Sequence, residues 1–142
     1  MDPSALIRAY LPDEDAGGGL YQTLFGGGDP LLTSEIARVE IAAAVRAAGR
    51  AGRLRAWAAI LSRIDADLAV DGPVYPIAFR AEPVIATARQ LVLDHKLRAL
   101  DAIHLAVALE DGRALADGEA LAFVTRDDDQ ATAARAVGLA VM

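Results

Sequence analysis

ALAFVTRDDDQATAARAVGLAVM, residues 120–142 of a 142-residue chain, reads as a strand, a helix and a second strand. ALAFVT is a short apolar run stopped by charge. DDQATAARAVG repeats alanine at helical spacing and ends at Gly138, and LAVM closes the chain as another short strand. A strand returning through a helix to a strand is the unit of α/β folds with a mostly parallel sheet. In such sheets, binding sites form beyond the carboxyl ends of the strands, which places Asp127, directly after FVTR, at a functional position.

The alternation continues upstream. SALIRAYLPDED predicts a helix from Ser4 ending near Pro12, with Asp13, Glu14 and Asp15 at its tip. GGGLYQTLFGGGD (17–29) is a short amphipathic piece between two glycine triplets, expected to be flexible joints; neither has phosphate-loop spacing. PLLTS (30–34) predicts a short strand running into Ser34 as N-cap of the helix EIARVEIAAAVRAAG. A turn at Gly49–Gly52 leads into a second helix, GRLRAWAAILSRIDADLAV (52–70). PVYPIAF (73–79) is the next strand and AEPVIATARQLVLDHK (81–96) the next helix, with Pro83 tolerated in its first turn. RALDAIHLAVAL (98–109) is a further helix, followed by a glycine-containing loop through Asp117 and Gly118. The expected architecture is a three-layer α/β/α sandwich around a mostly parallel sheet, formed by residues 1–142 as a single domain.

Composition narrows the function. No stretch approaches the roughly 20 apolar residues of a membrane span, and no basic-then-apolar leader opens the chain, so a cytoplasmic location is expected. The absence of cysteine excludes disulfides, thiolate metal sites and a cysteine nucleophile. The net charge of −6 argues against a non-specific polyanion binder. That charge is polarised: five arginines and no acid lie between Arg46 and Arg63, whereas nine acids lie between Asp94 and Asp129.

Four carboxylates sit at the entrance or inner face of predicted core elements. With about 100° per residue, Glu40 shares a stripe with Ile36, Ala44 and Ala47, and Asp101 stacks with Leu105 and Ala108. Asp2 precedes the first helix, and Asp127 follows a strand. An acid just before an apolar helix can be a simple cap, as Asp101 could be; among Asp127, Asp128 and Asp129, capping falls to Asp128 or Asp129. Converging carboxylates instead call for a divalent cation, and an oxygen-only donor set favours one or two Mg²⁺ or Mn²⁺ ions, suited to phosphodiester hydrolysis.

DPSALIRAYLPDE, RVEIAAA, LRALDAIHLAVAL and FVTRDDDQATAARAVGLAV together resemble the PIN-domain family, and more narrowly its VapC-type ribonuclease toxins from bacterial toxin–antitoxin pairs. The resemblance implies an α/β/α sandwich whose acidic pocket binds Mg²⁺ or Mn²⁺ through Asp2, Glu40, Asp101 and Asp127, the catalytic residues. It also implies a homodimer, an RNA substrate of the tRNA or rRNA class, and an antitoxin that neutralises the enzyme. Ser4, His104 and Asp128 are supporting residues in this reading, His104 packed and hydrogen-bonded. Two positions depart from the family pattern. Pro3 follows Asp2 where Thr or Ser is usual, and one residue precedes Asp2 where the family has an apolar strand. The expectation is a first strand that is shortened, holding Asp2 loosely, or a start lying upstream. The alternative function is a non-catalytic scaffold whose acidic pocket accepts a protein partner; a metal-dependent phosphatase or 5′-nuclease is a third.

Overall fold

The computed structural model describes residues 1–11 and 15–142, with backbone alone for 15–18. The expected helix stop at Pro12 and the acids Asp13 and Glu14 therefore lie outside the described residues, as does the Asp15 side chain. In chain order the elements are α1 (Pro3–Ala9), α2 (Asp15–Phe25), β1 (Leu31–Ser34), α3 (Ala37–Arg50), α4 (Trp57–Asp67), β2 (Val74–Ile77), α5 (Ala81–Asp94) and α6 (Ala99–Val107). They continue with α7 (Arg113–Ala116), β3 (Ala122–Phe123), α8 (Asp128–Ala136) and β4 (Ala140–Val141).

Every strand pair is parallel. β1 lies beside β2 from Leu31 opposite Val74 to Ser34 opposite Ile77, and β3 lies beside β4 with Phe123 opposite Val141. Met1 and Asp2 join the two pairs. The Met1 nitrogen donates to the Leu32 carbonyl at 2.7 Å, the Met1 carbonyl accepts the Thr33 hydroxyl at 2.9 Å, and the Asp2 N–H donates to the Val124 carbonyl at 2.9 Å. Two residues thus bridge the strand pairs, giving the Leu32 and Val124 carbonyls partners.

Side chains alternate across these strands and build a core on each face. On one face Ile77 and Phe123 pack with Val84 and Leu91 of α5, Leu105 of α6 and Ala134 of α8. On the other, Val74 packs with Leu6 of α1, Ile41 and Val45 of α3 and Ile64 of α4, while Val124 packs with Ala5 of α1 and Leu24 of α2. Helices on both faces of parallel strands make the expected α/β/α sandwich.

Local expectations fail where tertiary contacts override the pattern. The first glycine triplet lies inside α2 rather than acting as a joint. Ser34 ends β1 and caps nothing; α3 starts at Ala37 after Ile36, which makes no side-chain cap bond. The buried stripe of α3 is Ala37–Ile41–Val45, one residue round from the stripe that contains Glu40, so Ala44 and Ala47 are exposed. The helix after Asp101 does not stop at Leu109. It passes through a π-helical segment, Ala108–Gly112, into α7 and ends at Asp117 in the left-handed conformation, φ 46°. The wide turn directs Asp111 inward, where it ion-pairs with Arg80 at 2.7 Å and ties this helix to the start of α5.

Helices α3 and α4 meet at Gly49, where a Cβ would lie 2.6 Å from the Trp57 ring. Gly49→Ala normally favours a helix interior by up to about 1 kcal/mol. Here the clash is with the root of the indole, so a net loss of about 1–3 kcal/mol is expected in a urea melt. A stabilised variant would show that the α3–α4 contact yields freely.

Candidate active site

Two carboxylates reach the site because they cap helices. Asp2 is extended, and its Oδ2 accepts the Ser4 N–H at 2.9 Å and the Ser4 hydroxyl, closing the first turn of α1. Pro3 occupies the first helical position, where a missing N–H removes nothing the helix uses. Asp2 is only 5% exposed and held through backbone and side chain, so the expected looseness is not found. Asp127 caps α8 by accepting the Gln130 N–H at 2.9 Å, and its own N–H donates to the Thr125 hydroxyl at 3.1 Å. Neither Asp128 nor Asp129 caps, because both are already helical and the cap must be extended. Asp128 is exposed, and Asp129 ion-pairs with Lys96 at 3.0 Å.

Asp101 does not occupy the cap position, although its carboxylate accepts the Arg98 backbone N–H. The cap position of α6 belongs to Arg98, which makes no side-chain bond there, and Asp101 sits in the first turn with its side chain open to a cleft. Burial, then the charges of Asp127 and Asp2, push the Asp101 carboxyl above its usual range, against the pull of Arg98, whose Nε is 3.8 Å away. Asp2, Asp101 and Asp127 therefore share one electrostatic neighbourhood.

Gln130, fully buried, fastens them. Its side-chain amide donates to Asp2 Oδ1 at 3.3 Å and to the Asp101 carbonyl at 3.0 Å, and its carbonyl accepts the Thr125 hydroxyl. The sequence reading missed this residue. Its trace was present: a Gln three positions after Asp127 is the spacing of a capping box, although this side chain turns into the core instead of back to the cap.

Glu40 is placed differently. Its carboxylate accepts from His104 Nε2, and His104 Nδ1 meets the Ser34 hydroxyl at 2.9 Å, so a buried chain links β1, α6 and α3. His104, 4% exposed, is packed and hydrogen-bonded as expected, one helical turn after Asp101. Glu40 does not figure among the charges that act on Asp101. Glu40 is joined to α6, the helix that carries Asp101, through His104.

The donor set offered by Asp2, Asp101 and Asp127 is carboxylate oxygen alone, which fits Mg²⁺ or Mn²⁺ better than a softer metal. Among the described residues no three potential ligands are already gathered as a cage. Asp101 and Asp127 both line the cleft of about 470 Å³, where side chains have room to turn.

This geometry has a counterpart in sequence. The chain matches the PIN domain family over residues 1–136 and belongs to it. Members are generally metal-dependent nucleases, typically using divalent ions such as Mg²⁺. None of the curated proteins compared matches the chain. No helix among the described residues is long and apolar enough to cross a membrane.

Because its carboxyl binds a proton more readily in the folded chain, Asp101 lowers stability once pH rises above the ordinary value of 3.8 and through its raised one. Asp101→Asn should therefore melt at a higher temperature than the native chain at pH 7, with the gain shrinking as pH falls toward 3.8. An unchanged or lower midpoint at pH 7 would show that the repulsion is not felt. Gln130→Ala removes one bond from each of Asp2, the Asp101 carbonyl and the Thr125 hydroxyl and should cost about 1–3 kcal/mol in chemical denaturation; a neutral result would remove Gln130 as the fastening.

Proposed function

We propose that this chain is a metal-dependent endoribonuclease and, within its family, a toxin of the VapC type. In this reading it acts in the cytoplasm as a homodimer, cleaves RNA of the tRNA or rRNA class, and is neutralised by a cognate antitoxin. One observation supports it above the others: Asp101 and Asp127, distant in sequence, line one cleft, and Gln130 ties Asp2 to the Asp101 backbone beside them. Glycine joints and phosphate-loop spacing play no part in it. The toxin assignment rests on LRALDAIHLAVAL and FVTRDDDQATAARAVGLAV, which carry Asp101 and Asp127.

Asp2, Asp101 and Asp127, with Glu40 from the neighbouring side, are the candidate ligands for one or two Mg²⁺ or Mn²⁺ ions. A bound divalent ion supplies Lewis acidity and charge neutralisation at a phosphodiester. The protein's own part is positioning. Ser4 and Gln130 fix Asp2, α8 fixes Asp127, and α6 carries Asp101 at the cleft wall. Ligands held from both sides in this way keep the geometry that hydrolysis needs.

The test is cleavage of total RNA with Mn²⁺, with EDTA, and with Asp101→Asn. Cuts should appear only with metal. The variant should lose about a hundredfold or more, since removing even a group that merely supports a ligand costs up to that much. Undiminished cleavage by Asp101→Asn would overturn the assignment of the site. A protein that binds a partner equally well in EDTA and cuts no RNA would favour the scaffold.

A further inference from the structure

The cleft lined by Asp101, Asp127 and Asp129 is also lined by two cations from the segment between α5 and α6. They are Lys96 and Arg98, and Val92 and Leu97 add apolar surface to the same lining. Arg98 leans toward Asp101 at 3.8 Å, and Lys96 reaches across to Asp129 in the first turn of α8 at 3.0 Å. Both cations are nearly free in solvent, Lys96 at 88% and Arg98 at 85% side-chain exposure. Exposed pairs of this kind hold weakly and exchange partners readily. Lys96 thus spans the cleft without being locked there.

We infer that Lys96 is a phosphate-binding residue, which leaves Asp129 and takes up a backbone phosphate of an RNA strand lying beside the acid cluster, with Arg98 holding a second phosphate nearer Asp101. This rests on the nuclease reading above and extends it to how the substrate is held. A polynucleotide suits the cleft better than an acidic peptide does. Its phosphates match a compact ammonium and a planar guanidinium, while Val92 and Leu97 offer an apolar surface to a base. The rest of the molecule explains the need for such a device. With a net charge of −6, the protein has no general attraction for RNA, so local cations must supply it. Asp129 then acts as a stand-in anion. It keeps Lys96 across the cleft while the site is empty and competes with the phosphate when RNA arrives.

This competition gives the test its sign. On an Asp101→Asn background in Mg²⁺ buffer, the anisotropy of a fluorescein-labelled pool of short mixed-sequence single-stranded RNA is followed over a series of salt concentrations. Lys96→Gln should weaken binding several-fold and reduce the slope of log affinity against log salt by about 0.7, the value of one lost single-strand phosphate contact. Asp129→Asn should tighten binding several-fold, because it removes the competitor and keeps the helix. Thermal melts of each variant establish that the fold persists. A pair serving structure alone would instead make the two substitutions act alike. Equal affinity in all variants, or no binding by any, overturns the inference, as does an Asp129→Asn gain that appears with a poly-glutamate peptide rather than RNA. Metal-dependent cleavage by the native chain is scored separately. Cleavage with indifferent binding leaves the nuclease and removes the Lys96 role, whereas the Lys96 and Asp129 effects without cleavage leave an RNA-binding cleft and remove the nuclease.

Discussion

The side-chain amide of Gln130 is the contact on which the site depends. It is fully buried, and an unpartnered amide there would be costly, so its orientation is dictated by what it must reach: Asp2, the Asp101 carbonyl and the Thr125 hydroxyl. The three groups belong to the chain start, to α6 and to the end of β3, elements that no hairpin joins. Pulling them together also sets where α8 sits, since Gln130 lies on its first turn and its backbone N–H is the one Asp127 caps. Fold and site therefore share a fastening.

Around that fastening the molecule assigns its acids three kinds of work. Asp2 and Asp127 serve helix ends, each accepting a backbone N–H of the first turn it precedes. Asp101 accepts the Arg98 backbone N–H at the start of α6, yet burial together with its neighbouring carboxylates works against its ionised form. A group that weakens the fold where it stands is what a functional site leaves behind when the surrounding structure over-determines it. Glu40 is a third case: a partly buried acid answered by an imidazole and, through it, by a serine at the end of β1.

Much of this was legible in the sequence. The strand–helix–strand pattern at the end of the chain survives nearly unchanged, because short apolar runs between caps and glycines leave little choice. Asp101 stood out because its helix is otherwise apolar. What the pattern could not carry were choices made between elements. Rotating α3 by one residue moves Glu40 off the core stripe, and only packing against α1 and α4 decides that rotation. Which of three consecutive aspartates caps α8 depends on where the backbone leaves its extended form, a matter of one residue. The continuation of α6 through a π turn answers to Arg80, some thirty positions upstream of Asp111. Helical periodicity sees none of these partners.

The caps have a consequence for the order of assembly. Three helix starts, those of α1, α6 and α8, present their positive ends to the three carboxylates, and Asp2 and Asp127 are already engaged by backbone N–H groups. Repulsion within the cluster is thus offset by parts of the chain itself. Small zinc domains stand at the other extreme, gaining their structure only with the ion. Here Asp2 and Asp127 are held by helix starts of the chain itself, so their placement does not wait on an ion, although no three acids are gathered as a cage among the described residues. Under the proposed reading, an ion would have to draw Asp2, Asp101 and Asp127 closer together, with α1, α6 and α8 already in position before it arrives.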